Sequence, residues 1–394
     1  MTSQTHHLLQ KLPVDLYRLP LGEWDTFFRE LGLKPETQKQ VFEALYHGDE
    51  TDIMSMTGLD ARDRDILSRA AVIQCAHKQE LKRSGDGSYR LTLRLHDGYL
   101  AETVIIPEWK DGKLRKCTAS ISSQIGCFFG CSFCATGRMG FHRNLSTGEL
   151  LDQVRIAESV VRDEIRTGLS HLYFMGMGEP MHNYRAISDA LAIMRDKNAP
   201  GPPPPQITVS TVGLFRQIRM LAADHPGVRL AVSIHSADQR KRYEIMPVSS
   251  RLGLPDIREA LVFHQRQTGY PSTIQYLMMK GINDGTEDAR NLTAFLGDLY
   301  ANITLIMYND VPDAGMQRTG LDRIQSFRTV LADAGFPVDI RWCYGEDIEA
   351  GCGQLKAGCE QDQATHREER IKVSMRHGSP IEKAHRGSIS GTPR

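Results

Sequence analysis

The chain has 394 residues, with 48 basic and 48 acidic side chains and a formal net charge of zero. Hydrophobic residues make up 40% and charged residues 24%, which suits a soluble protein with one large domain and an appendage, or with two to three small domains. No run approaches the roughly 18 apolar residues of a membrane span, the N-terminus lacks a secretory apolar region, and the neutral balance weighs mildly against a dedicated nucleic-acid binder, so a cytoplasmic location is expected.

Apolar residues recur at three-to-four spacing in 22–28 and 35–46, and a third candidate helix covers 60–71. Together they predict a helical accessory domain over 1–75, acting as a binding domain or as a cap on a larger one. Residues 89–95 and 100–106 alternate and are separated by His96-Asp97-Gly98, the signature of a β-hairpin, which makes 76–112 a β-hairpin connector. From residue 113 to 360 the pattern becomes strand, helix, strand, helix. Strands are expected at 118–122, 171–175, 206–211, 228–234, 273–279, 303–308 and 338–342. Helices are expected at 147–165, 184–194, 254–268, 287–299 and 321–334. Such alternation means a parallel α/β sheet with crossover helices, and its length suits a partial (β/α)6 barrel with reactive groups at the C-terminal strand ends. The proline run at 200–205 reads as a stiff spacer. Residues 361–394 are polar and read as a disordered tail.

The eight cysteines read as metal ligands or catalysts before they read as structural bridges. Three of them, Cys127, Cys131 and Cys134, form a CxxxCxxC loop after the first barrel strand, with Gly126 and Gly130 before the first two. No fourth ligand lies nearby to complete a closed zinc site. Three thiolates suit a 4Fe–4S cluster with one iron left open. An open iron points to a radical enzyme using S-adenosylmethionine (SAM).

With the segment Gly140-Phe141-His142-Arg143-Asn144-Leu145, this loop resembles the radical SAM methyltransferases that act on RNA adenine, the RlmN and Cfr family. The resemblance runs from the N-terminal helices to about Gly358. It implies a radical SAM barrel and a SAM site made by Gly178 and Glu179 in Met175-Gly176-Met177-Gly178-Glu179-Pro180, by Ser210, by Ser233, Ile234 and His235, and by Asn309. The segment Gly345–Leu355 is similar to the family's stretch carrying a cysteine that becomes methylated, here Cys352. Glu102, in Ala101-Glu102-Thr103-Val104, matches the family's proton acceptor. The implied activity is methylation of an adenine carbon in rRNA or tRNA through methylated Cys352. A low-potential one-electron donor such as flavodoxin would serve a monomer without membrane association.

Two places depart from the pattern: residue 120, and Asp310-Val311-Pro312-Asp313 after Asn309, which differs from the family's proline-containing stretch and bears on the substrate pocket. Ser120 stands where the family has its resolving cysteine, and a hydroxyl cannot form the disulfide that the resolving step generates. Cys117 and Cys343 are the two nearby alternatives, although strand alternation points Cys117 differently from residue 120. Two other readings therefore stand beside the first: a diverged radical SAM enzyme with another substrate or outcome, and a non-catalytic RNA-binding paralogue. Lys113–Lys116, Arg143 and Arg240-Lys241-Arg242 are candidate phosphate contacts, though such runs are more often solvated faces.

Overall fold

The computed structural model describes residues 13–46, 50–197, 199–247, 251–312 and 314–356. The expected tail at 361–394 lies outside the described residues, as does Cys359.

Helices α1 (Leu21–Glu30) and α2 (Pro35–Tyr46) bury Trp24, Phe28, Val41 and Leu45, each pair four residues apart on one face. Helix α3 (Ala61–Ala70) is capped by Asp60, which accepts the Asp63 N–H at 2.8 Å. Asp63 in turn accepts the Thr37 hydroxyl at 2.5 Å, tying α3 to α2. A short parallel pair, β1 (Val14–Asp15) with β2 (Ala71–Val72), brings the two ends of this helical region together.

The rest is built on one ten-stranded sheet, in the order β14-β13-β12-β11-β10-β9-β6-β5-β4-β3. Its antiparallel part comprises β3 (His77–Arg83), β4 (Tyr89–Arg94) and β5 (Leu100–Lys110). The β4–β5 hairpin forms as expected, turning at Asp97-Gly98. Strand β5 then pairs with β6 (Lys113–Ile121) from Val104↔Ser120 to Lys110↔Lys113, so the sheet runs unbroken past residue 112. Strand β3 escaped the sequence reading. It is an edge strand, exposed along nearly its whole length, and its His-Lys-Gln-Glu-Leu-Lys-Arg run does not alternate.

The barrel part is parallel throughout. It contains β6, β9 (His171–Phe174), β10 (Ile207–Thr211), β11 (Arg229–Ser233), β12 (Ser272–Met278), β13 (Ala301–Met307) and β14 (Val338–Arg341). After the single-turn α4 (Ala135–Arg138), the crossovers carry α5 (Thr147–Val160), α6 (Tyr184–Ile193), α7 (Phe215–Asp224), α8 (Gln239–Ile245) with α9 (Leu254–Thr268), α10 (Thr286–Leu296) and α11 (Leu321–Asp333). Six strand–helix units followed by a seventh strand make the partial (β/α)6 barrel that the alternation predicts. One continuous core fills the space between sheet and helices. A second, smaller apolar cluster around Phe129, Phe133, Met246, Tyr308 and Val311 sits apart from it and packs against the cysteine loop.

Candidate active site

The cysteine loop projects from a small antiparallel ladder between β7 (Gln124–Gly126) and β8 (Phe141–Asn144). Gly126 has φ +70°, and a Cβ there would lie 1.8 Å from the Gly140 carbonyl oxygen, so only glycine fits where the loop leaves the ladder. The Cys127 N–H donates to that same oxygen at 2.9 Å, and the Ser132 N–H anchors the loop tip on the Ile245 carbonyl at 3.0 Å. Cys127, Cys131 and Cys134 all pack against the small apolar cluster. Burial pushes the Cys127 thiol up to about 12 and raises those of Cys131 and Cys134. Beneath them lies Arg242, fully buried, its guanidinium donating to the carbonyls of Val212 (2.6 Å), Leu252 (3.1 Å) and Ile234 (3.2 Å). Burial lowers its pKa to about 10, and its interaction with Cys131 opposes that shift.

Two of the candidate phosphate contacts are thereby removed. Arg242 points inward from α8 and cannot meet a phosphate. Arg143 is occupied by Asp97 at 2.6 Å and by both carboxylate oxygens of Glu149 at 2.8 and 2.9 Å. A charge run in sequence does not reveal which member of a helix turn faces the core.

A polar layer follows at the strand ends. Gly178 has φ +92°, and a Cβ would meet the Gln124 side chain at 2.5 Å; this close approach sets Glu179 beneath the cysteine loop. The buried Glu179 carboxylate accepts the N–H groups of Met181 (3.0 Å) and Val212 (2.9 Å). Burial nevertheless lifts its pKa to about 7, because those donors only partly offset desolvation. The hydroxyls of Ser210 and Ser233 both donate to Gln275 Oε1, at 2.9 and 3.1 Å. Gln275, on β12, was not among the sequence candidates. His235 is buried with φ 55°, accepts the Leu277 N–H at 3.0 Å through Nδ1, and sits edge-on to Phe133. Burial lowers its pKa to about 3 and keeps it neutral. Ile234 is fully buried between these groups.

The third part is a cavity at the seam where β6 and β9 face β13 and β14. Ser120, Cys134, Asn309, Cys343 and Cys352 all line it. Alternation along β6 puts Thr118 and Ser120 in the wall, whereas Cys117 and Ala119 lie in the main core. The Cys352 loop is anchored on the cysteine loop, the Ala135 N–H donating to the Gly353 carbonyl at 2.7 Å and the Thr136 hydroxyl to the Leu355 carbonyl at 2.5 Å. Asn309 donates to the Cys352 carbonyl at 3.3 Å, and its buried Oδ1 has no hydrogen-bond partner. Glu102 shares the face of Val104 and Ile106 on β5 but lies one step beyond the cavity wall. Its carboxylate accepts the Lys356 N–H at 2.8 Å and sits 3.6 Å from Arg90.

The residues fit the expected groups. Among the described residues no three ligating side chains converge on a point that would hold a single metal ion, the cysteine triplet included. Three thiols presented by one short loop suit a cluster with one open iron. Beside them, a buried carboxylate with an elevated pKa and an orphaned amide oxygen are ready to receive an ammonium and a polar ligand group.

A half-barrel with this loop at its mouth defines a radical SAM enzyme, and residues 121–293 match the model of the Radical SAM superfamily. This class implies a 4Fe–4S cluster and SAM. A Salinibacter ruber protein called probable dual-specificity RNA methyltransferase RlmN is 37% identical over 345 residues, covering 87% of this chain and 94% of that one. A Rhodospirillum rubrum dual-specificity RNA methyltransferase RlmN is 35% identical over 370 residues, covering 92% and 85%. A solved radical SAM methyltransferase from Sphaerobacter thermophilus superposes with a TM-score of 0.77 at 32% identity, covering 87% of this chain and 99% of that one. The chain belongs to the RlmN family.

Proposed function

We propose that this chain methylates an adenine carbon of ribosomal or transfer RNA, carrying the incoming carbon on Cys352. The observation that carries the reading is the shared cavity, whose wall includes both Cys134 of the cluster loop and Cys352. When bound, the cluster with SAM supplies a 5′-deoxyadenosyl radical able to remove hydrogen from a carbon that polar chemistry leaves untouched. Cys127, Cys131 and Cys134 would hold the cluster. Glu179, with Gly178, would receive the SAM ammonium, while Ser210, Ser233, Ile234, His235 and Asn309 would frame its remaining polar groups. A methyl group on the Cys352 sulfur would then face both the cluster loop and the cavity.

The cavity mouth suits a splayed base. Arg341 and Lys116 both lie over the Tyr173 ring, at 5.5 and 4.9 Å from its centre, and Trp342 beside them is 53% exposed. Cations interleaved with aromatic rings favour an unstacked nucleotide and its phosphates. Glu102 stands behind the wall as the proton acceptor, and would act once the Lys356 N–H releases it. The electron would come from a low-potential one-electron donor such as flavodoxin, and the chain would work as a monomer in the cytoplasm.

The test is direct. Protein reconstituted with iron and sulfide is given methyl-labelled SAM, reductant and RNA, and the RNA nucleosides are weighed. Label on an adenine carbon is expected. Deoxyadenosine and methionine without methyladenine would contradict the proposal and favour another radical outcome.

A further inference from the structure

We infer that Cys343 is the thiol that resolves Cys352, forming a reversible disulfide with it across the cavity. This deepens the function proposed above and rests on it for the RNA step; the pairing itself rests on the cavity.

If carbon from Cys352 is joined to RNA, the product stays attached until the sulfur–carbon bond breaks. Ser120 faces the site, but a hydroxyl does not exchange at sulfur as a thiolate does. Among the described residues the other cysteines are excluded in turn. Cys127, Cys131 and Cys134 belong to the cluster loop. Cys117 lies on the far face of β6 in the main core, and Cys75 packs against that core beside Tyr17 in the helical region. Among the described residues outside the cluster loop, Cys343 alone joins Cys352 in the cavity wall.

The chain between them is folded to bring them together. The Ala350 N–H donates to the Gly345 carbonyl at 2.8 Å and the Ile348 N–H to the same oxygen at 3.3 Å, closing 345–350 into a turn. The two cysteines flank that turn, two residues outside each end. The arc of the turn is clamped to the β3–β4 corner. Asp347 accepts the Ser84 hydroxyl at 2.5 Å and the Gly85 N–H at 3.0 Å, and Asp86 accepts the Gly345 N–H at 2.7 Å. The arc is held while its ends face the cavity. Arg318, bonded to the Tyr308 carbonyl at 2.8 Å and ion-paired with Glu346, sets a positive charge near Cys343. Burial raises the Cys343 thiol to about 11, with Glu346, Cys352 and Asp310 adding to the shift and Arg318 opposing it.

The step balances without an oxidant. The Cys343 thiol loses its proton and attacks the Cys352 sulfur. The sulfur–carbon bond breaks, its electron pair stays on carbon, and a proton completes the methyl group on RNA. The two sulfurs are oxidised to a disulfide as the carbon is reduced. An external dithiol then reduces that disulfide and is itself oxidised, readying the pair for another turnover.

Two measurements on the full chain test this. First, the protein is oxidised in a glutathione redox buffer, alkylated, and digested with a protease that cuts at Glu346 and Glu349, between the two cysteines. A Cys343–Cys352 linked peptide is expected in the wild type and in Cys75→Ser, and its absence from the wild type would overturn the pairing whether or not RNA is methylated. Second, reconstituted Cys343→Ser is expected to cleave SAM, accumulate a covalent Cys352–RNA adduct, and lose about 100-fold in released product. Undiminished release by that variant would overturn the resolving role. A wild-type chain that forms the linked peptide but never methylates RNA would sink the proposed function and leave the pairing standing.

Discussion

Along β9 to β12 the strand-end groups are tied to one another, whereas at the seam between β6 and β14 they are left facing a cavity. In the first region Gln275 receives hydrogen bonds from hydroxyls on two neighbouring strands, and both Glu179 oxygens hold backbone donors. In the second, Asn309 keeps an orphaned oxygen, and Cys343 and Cys352 line the wall beside Cys134 of the cysteine loop. A prearranged polar layer holds a ligand in one pose at little reorganisation cost. A cavity holding thiols on a clamped loop suits bonds that form and break. The resemblance read from sequence follows the same division: it runs without a break through the first region and breaks in the second, at Ser120.

Substitutions can sharpen this division, the strongest being in the cysteine loop that serves both regions. Cys127→Ala removes one of the three proposed cluster ligands. Iron per reconstituted chain is expected to fall to near zero and SAM cleavage to vanish, as read by iron analysis and deoxyadenosine release. Glu179→Gln touches only the first region. It is expected to leave the iron content intact and weaken SAM binding by about 10- to 100-fold, the worth of a charge-assisted hydrogen bond. Equal SAM affinity in that variant would break the comparison, because the layer would then be structural only. Gln275→Ala strips the shared acceptor from Ser210 and Ser233, and a loss of about 1–3 kcal/mol is expected in denaturant unfolding.

The smallest effect lies outside both regions. Burial raises the Asp152 pKa to about 6, despite Arg155 and the Ala76 N–H that it accepts at 2.7 Å. A carboxyl raised on folding adds stability at low pH and loses it as pH climbs from its ordinary value through the raised one. Stability should therefore decline between about pH 4 and pH 6 on this account. Asp152→Asn is expected to flatten that part of the profile in denaturant midpoints measured across the window.

What could be read from sequence was what is local. The cysteine triplet sits within eight residues, and the barrel strands announce themselves by apolar runs bounded by turns. The strand-end serines stand out in sequence, but Gln275, which binds them together, does not, because a polar residue inside a strand acquires meaning only when three strands lie side by side. Arg242 looked like part of a surface charge run until its helix packed. Glu102 was found by its motif, yet its clamp on Lys356 joins residues 254 positions apart. Cys117 stays open in sequence, where alternation only points it differently from residue 120; the fold places it in the main core. The position of Cys343 beside Cys352 depended on a turn clamped to β3, a strand that sequence pattern did not disclose.

The central claim is that Cys352 carries the transferred carbon. The most direct measurement is the mass of the 342–356 peptide from cluster-loaded protein incubated with methyl-labelled SAM and no RNA. A labelled methyl group on the Cys352 sulfur is the expected result. An unmodified Cys352 in protein that goes on to place label in RNA would contradict the account.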